Sequence, residues 1–219
     1  MILEKGSKLL FIGDSITDCD RTKPVGEGSS DDLGKGYVAF VEGLLRSVYP
    51  ERQIRVVNMG ISGHTVRDLK ARWPTDVMAQ KPDWVSIMIG INDVWRQFDS
   101  PFHKEKHVYI DEYEETLRQL VTETKPFVTG IILMTPFFIE SNENDPMRRT
   151  MDQYGNVVKR LAKETNCLII DTQAAFDQVL KTLHSTSLAW DRVHPDTAGH
   201  MVIARAFLNQ IGFDWKKSF

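Results

Sequence analysis

The sequence is poor in the features that mark specialised protein classes. Only two of its 219 residues are cysteines, Cys19 and Cys167. That is too few for a disulfide scaffold; the pair fits a reducing compartment, and no disulfide is expected. The cysteines form no cluster, so no zinc or other metal site is expected. No apolar run approaches the roughly 20 residues that span a bilayer. The formal net charge is only −3, which gives no reason to expect nucleic acid or an anionic membrane as partner. The opening stretch MILEKGSKLLFIGDS has a single four-residue apolar run, Leu9 to Ile12, with charges upstream. This is not the pattern of a signal peptide, and a cytoplasmic protein is expected. Internal repeats and low-complexity tracts are also lacking.

What is present is ordinary globular composition, 42% apolar and 26% charged, which excludes disorder. The length suits one α/β domain with a full core and is short for two. Short runs rich in Ile, Val and Leu predict buried strands at Lys8–Ile12, Ile54–Asn58, Trp84–Ile89, Val128–Met134 and Leu168–Asp171. Helical faces recur between them: Tyr37, Val38, Val41, Leu44, Leu45 and Val48; Tyr113, Leu117, Leu120 and Val121; Met147, Met151, Tyr154, Val157, Val158 and Leu161. Asp145-Pro146 reads as an N-cap followed by proline at the first helical position. A last helix is predicted after Asp196. Strand–helix alternation implies a parallel sheet covered on both faces, with sites at the carboxyl ends of its strands.

Four polar stretches fall at those ends. In LLFIGDSITDCDR, Ser15 follows a strand in a turn that opens a helix, where its own N–H and the helix dipole favour developing negative charge. The plainer reading is that Asp14 or Ser15 is only an N-cap. In VNMGISGHT, Gly60 and Gly63 permit a tight turn with a bare N–H near a ligand, or simply a strand-to-helix loop. Ser62 is a rival nucleophile there, but His64 stands where a G-x-S-x-G elbow needs its second glycine. In IMIGINDVW, the Asn92 amide could donate to an oxyanion or only organise a turn. In AWDRVHPDTAGH, Asp191 and His194 are spaced so that the carboxylate can orient the imidazole, making His194 a general base. Asp18-Cys19-Asp20-Arg21-Thr22 also spells D-x-D-x-T, as in aspartate-nucleophile phosphatases. Yet Asp18 does not follow its strand directly, and Cys19 reads better as packing than as a nucleophile.

As a set, Gly13-Asp14-Ser15, the Asn58–Gly63 turn, Gly90-Ile91-Asn92-Asp93 and Asp191-Arg192-Val193-His194-Pro195 resemble the blocks of the SGNH hydrolases, or GDSL esterases. Ile16 stands where the name-giving motif has Leu. The resemblance implies one SGNH hydrolase domain over residues 1–219. Its fold would be a flavodoxin-like three-layer α/β/α sandwich with a five-stranded parallel sheet, needing no cofactor. It also implies Ser15 as nucleophile, His194 as base and Asp191 as its orienting acid, with the N–H groups of Ser15 and Gly63 and the Asn92 side chain as oxyanion hole.

The polar segment Gln97–Val108 contains no long apolar lid, which favours a small acyl group. Trp190 beside the triad could stack on a sugar, or pack at a core or subunit contact; packing is the favoured role for Trp95. Asp14 and Trp190 are the expected substrate-binding residues. Length, the Arg21–Gly36 insertion and the DRVHPDTAGH ending resemble bacterial intracellular acetylxylan esterases of the family. That implies removal of acetyl groups from acetylated xylo-oligosaccharides, or another small acetyl ester. A lysophospholipase or thioesterase acting on longer chains is the alternative. The aromatic tail GFDWKKSF and Trp190 suggest a homo-oligomer.

Overall fold

The computed structural model describes residues 1–28 and 30–217. Ser29 of the Arg21–Gly36 insertion and residues 218 and 219 of the aromatic tail lie outside them. Five strands form: β1 (Lys8–Gly13), β2 (Arg55–Asn58), β3 (Trp84–Met88), β4 (Gly130–Met134) and β5 (Leu168–Ile170). Each predicted run is a strand, with ends shifted by one or two residues. Eight α-helical segments accompany them: α1 (Ser15–Asp18), α2 (Tyr37–Val48), α3 (Val66–Asp76), α4 (Ile91–Asp99), α5 (Ile110–Thr124), α6 (Pro146–Thr165), α7 (Thr172–Leu180) and α8 (Thr197–Gln210). The Asp145 carboxylate accepts the N–H groups of Met147 and Arg148 at 2.9 and 3.0 Å, so α6 begins at the predicted cap. The Asp196 side chain caps α8 through Gly199 N–H.

All neighbouring strands pair in parallel, in the order β2-β1-β3-β4-β5. Leu9, Leu10, Phe11 and Ile12 of β1 are fully buried, as a strand covered on both faces must be. The first crossover moves one way along the sheet and the next three move the other way. Right-handed crossovers therefore place their helices on opposite faces. α8 packs against α2 and α7, while α5 packs against α3 and α6. This is the expected α/β/α sandwich.

In this strand order the chain reverses direction at β1, and the crevice between the ends of β1 and β3 is where such sheets bind ligands. Gly13 pairs with Met88 and Phe11 with Asn58. The segments that follow these three strands thus leave the sheet side by side. No helix among the described residues is long and apolar enough to cross a membrane.

Candidate active site

At the end of β1 the chain turns at once into the single turn of α1. The Asp14 carboxylate accepts Ile16 N–H at 3.0 Å and so starts that turn. Ser15 is its first residue. As a first-turn residue it has no helical acceptor for its N–H. Its Oγ lies 2.9 Å from His194 Nε2. His194 Nδ1 lies 2.7 Å from Asp191 Oδ2. The other Asp191 oxygen accepts the N–H groups of Val193 and His194 at 2.9 and 2.8 Å. Burial pushes the Asp191 carboxyl up, but hydrogen bonds from the His194 ring and these two N–H groups outweigh it and hold it below the ordinary range. An ionised carboxylate only accepts, so His194 Nδ1 carries the hydrogen and Nε2 is left bare to accept from Ser15.

The loop holding Asp191 and His194 is fastened to the segment after β4. Arg192, at φ +65°, accepts Ile139 N–H on its carbonyl at 2.9 Å. Its guanidinium pairs with Glu140 at 2.5 Å and lies over the Phe138 ring. Trp95 on α4 meets the His194 ring edge-on, with centroids 5.8 Å apart. Trp95 therefore does pack, as favoured, and what it packs on is the histidine.

The turn after β2 is held by backbone bonds, from Met59 N–H to the Phe11 carbonyl at 2.7 Å, Ile61 N–H to the Gly13 carbonyl at 3.1 Å and His64 N–H to the Ile61 carbonyl at 3.4 Å, and by side chains. Asn58 is fully buried; its Nδ2 donates to the Thr17 and Leu33 carbonyls and its Oδ1 accepts Gly60 N–H. Gly60 has no room for a side chain, since a Cβ there would lie 2.2 Å from the Asp18 nitrogen. Gly63 sits at φ +81°, a conformation glycine adopts freely. Its N–H donates to no protein acceptor among the described residues. Asn92, buried at the start of α4, donates through Nδ2 to the His64 carbonyl at 2.9 Å and accepts on Oδ1 from Arg96. A side-chain amide has two N–H groups, so one remains for a ligand.

One expectation changes. Asp14 is 1% exposed and occupied in capping α1. Its carboxyl lies beneath the site, out of reach of a substrate, and the plainer reading of it as a cap is the correct one. Ser62, the disfavoured rival nucleophile, donates its Oγ–H to Asp18 at 3.1 Å, and the histidine of the Asp191–His194 pair faces Ser15 instead. Trp190 is 83% exposed immediately before Asp191, open to a ligand or a second molecule. Cys19 caps α1 in a left-handed conformation. Burial pushes its thiol up, and burial also pushes the neighbouring His200 down to about 4, so that imidazole cannot supply a charge to activate it.

Other residues emerge only from the structure. Arg72 on α3 reaches back to the Gly13 carbonyl at 2.9 Å and the Met59 carbonyl at 2.6 Å, tying the ends of β1 and β2 together. Asp93 is fully buried, accepts Val66 N–H at 3.0 Å on one oxygen and has no partner for the other among the described residues. Burial pushes it up to about 7, aided by the charge of Asp14. Asp14 is likewise pushed up to about 7 by burial. Neither Arg72 nor the burial of Asp93 has a motif; both depend on which way a helix turns its face. His103 and His107 stand four residues apart, a metal-pair spacing on a helix. Residues 104–106 instead form a 3-10 turn, with His103 facing Glu105 and His107 facing the Ser100 carbonyl.

Residues 11–202 match the GDSL-like Lipase/Acylhydrolase family. The acetylxylan esterase of Geobacillus stearothermophilus is 73% identical over 218 residues, covering 100% of both chains. Its crystal structure superimposes with a TM-score of 0.98. Solved forms of that enzyme described as catalytic mutants carry S15A, D191A or H194A. A structure described as an α/β hydrolase enzyme from the metagenome of Lake Arreo, Spain, is 54% identical, covers 97% of this chain and 98% of its own, and gives a TM-score of 0.96.

Proposed function

This chain belongs to the GDSL-like lipase/acylhydrolase family, and we propose that it is a serine esterase that deacetylates acetylated xylo-oligosaccharides. The observation that carries the chemistry is the relay Ser15 Oγ–His194 Nε2–Asp191, at 2.9 and 2.7 Å. The substrate rests on full-length similarity to the Geobacillus acetylxylan esterase. In this reading residues 1–219 act as one catalytic domain. Free, half-buried Cys19 and Cys167 fit a cytoplasmic setting. Exposed Trp190 and Trp215 support self-association, which a monomeric mass in light scattering at micromolar concentration would refute.

The reaction follows from the geometry. His194 Nε2 takes the Ser15 proton as Oγ attacks the acetyl carbonyl. The carbonyl oxygen becomes an oxyanion, held by the N–H groups of Ser15 and Gly63 and the free N–H of Asn92. Asp191 keeps the imidazole in the tautomer that accepts at Nε2 and stabilises the imidazolium. The C–O bond to the sugar breaks, and the sugar hydroxyl leaves with the proton from His194. Water, deprotonated by His194, then attacks the acetyl-serine; acetate leaves and Ser15 recovers its proton. Burial disfavours ionisation of Asp14, next to Ser15, which lessens the negative charge beneath the oxyanion.

The test is acetate release from acetylated xylo-oligosaccharides by the intact protein and by Ser15→Ala. Release that vanishes in the variant supports the whole reading. Ser15-dependent cleavage of aryl acetates without release from the sugar retains the mechanism and discards the substrate. A series of acyl chain lengths separates a deacetylase from a lysophospholipase or thioesterase.

A further inference from the structure

The D-x-D-x-T stretch is not used as a phosphatase motif, yet its first aspartate is placed with care. Asp18 is the last residue of α1, the turn whose first residue is Ser15. Its side chain is 8% exposed. Asp18 Oδ2 accepts both Ser62 N–H at 3.0 Å and Ser62 Oγ–H at 3.1 Å. Lys23 Nζ donates to both carboxylate oxygens at 2.7 Å, and weakly to the Gly60 carbonyl at 3.5 Å. Asp18 thus grips the residue directly before Gly63 while belonging to the same helical turn as the nucleophile.

We propose that the Asp18–Lys23 pair is a positioning device for the esterase, fixing the Gly63 N–H relative to Ser15. This rests on the reading of Ser15 as nucleophile and Gly63 as oxyanion donor. The physical need is clear from the fold. Ser15 and Gly63 follow different strands, and α1 is a single turn that could not hold its own orientation. The packing of Gly60 on Asp18 sets how closely the two segments approach; the bonds to Ser62 set the orientation of the peptide that ends in Gly63 N–H. Lys23 has a second effect. An uncompensated carboxylate this near a forming oxyanion would oppose it, and the ammonium cancels that charge.

An oxyanion donor out of place weakens transition-state binding and leaves ground-state binding nearly alone, so the loss falls on kcat. Asp18→Ala is expected to lower kcat for 4-nitrophenyl acetate by about tenfold to hundredfold with KM within about threefold. Asp18→Asn, whose amide oxygen still accepts from Ser62, recovers most of that loss. Phosphonylation of Ser15 by an organophosphonate passes through the same oxyanion site, and its rate, followed by mass spectrometry, falls in parallel. Lys23→Met, at a half-exposed position where folding is safe, lowers kcat by about threefold to tenfold; Lys23→Arg restores it. Unchanged kcat in either Asp18→Ala or Lys23→Met overturns the proposal. So does an equal loss in Asp18→Ala and Asp18→Asn, or a loss confined to KM. Should Asp18→Ala fail to fold, by tryptophan fluorescence and circular dichroism, the Lys23 pair of variants decides. Label on a residue other than Ser15 in the wild type would instead show that the underlying reading of the site is wrong.

Discussion

Replacing Asp93 by Asn should make the protein's stability less sensitive to pH, and the size of the effect follows from its surroundings. The Asp93 carboxyl is fully buried, with one bonded oxygen and one bare one. Burial raises it from 3.8 to about 7 in the folded chain. The unfolded chain releases this proton near the ordinary carboxylate value. Between pH 4 and 7 the folded state therefore holds more protons than the unfolded state, so stability falls as pH rises through that window. A raised group contributes most below its unfolded pKa, and its contribution is gone above its folded one. At about 1.4 kcal/mol per pKa unit, the loss approaches about 4 kcal/mol across the window. Burial is the main cause of the rise, and the charge of Asp14 adds to it. Urea unfolding of wild type and Asp93→Asn, followed by tryptophan fluorescence at pH 4.5, 5.5, 6.5 and 7.5, reads the difference directly. The variant should gain on the wild type by about 1 kcal/mol or more per pH unit and level off above pH 7. A stability difference that stays constant with pH would show that the Asp93 carboxyl is not raised, and that it reaches water or a partner.

Other outcomes follow from the site. Asn92→Ala should reduce kcat on aryl acetates by about 10²–10³ with little change in KM, checked by steady-state kinetics; an effect on KM alone would remove it from the oxyanion hole. Asp191→Asn should present an amide N–H to His194 Nδ1, favour the wrong tautomer, and lower kcat by about 10⁴, checked by steady-state kinetics. Gly60→Ala drives a methyl against the Asp18 backbone nitrogen. A thermal melt should show a loss of about 1–3 kcal/mol, with reduced kcat as the oxyanion turn shifts. Glu140→Ala releases Arg192 from its 2.5 Å partner, and kcat should fall severalfold while Ser15 still reacts with an organophosphonate.

Much of this protein is legible along the chain because its signals are local. A strand buried on both faces must be apolar throughout, so KLLFIG and IILM announce themselves by composition. The Asp145-Pro146 cap is visible because a helix start needs an acceptor and tolerates proline. Ser15, Gly63, Asn92 and Asp191 with His194 each allowed a plainer reading alone; it was the resemblance of the four blocks as a set to the SGNH hydrolases that singled them out. The tertiary structure decided what those side chains face. Asp14 is one residue from Ser15 yet is buried, because as the N-cap its carboxylate folds back onto the first turn of α1 to accept Ile16 N–H. Asp18 resembled part of a phosphatase motif, but the approach of the β2 turn onto α1 gave it Ser62 as a partner, beside Lys23 from the segment that follows α1. Arg72 reaches the ends of β1 and β2 from a helix whose charged residues, read singly, suggest only a solvated face. Local sequence set the period of burial and the chemistry on offer; only the packing of segments distant in the chain determined direction, burial and partner.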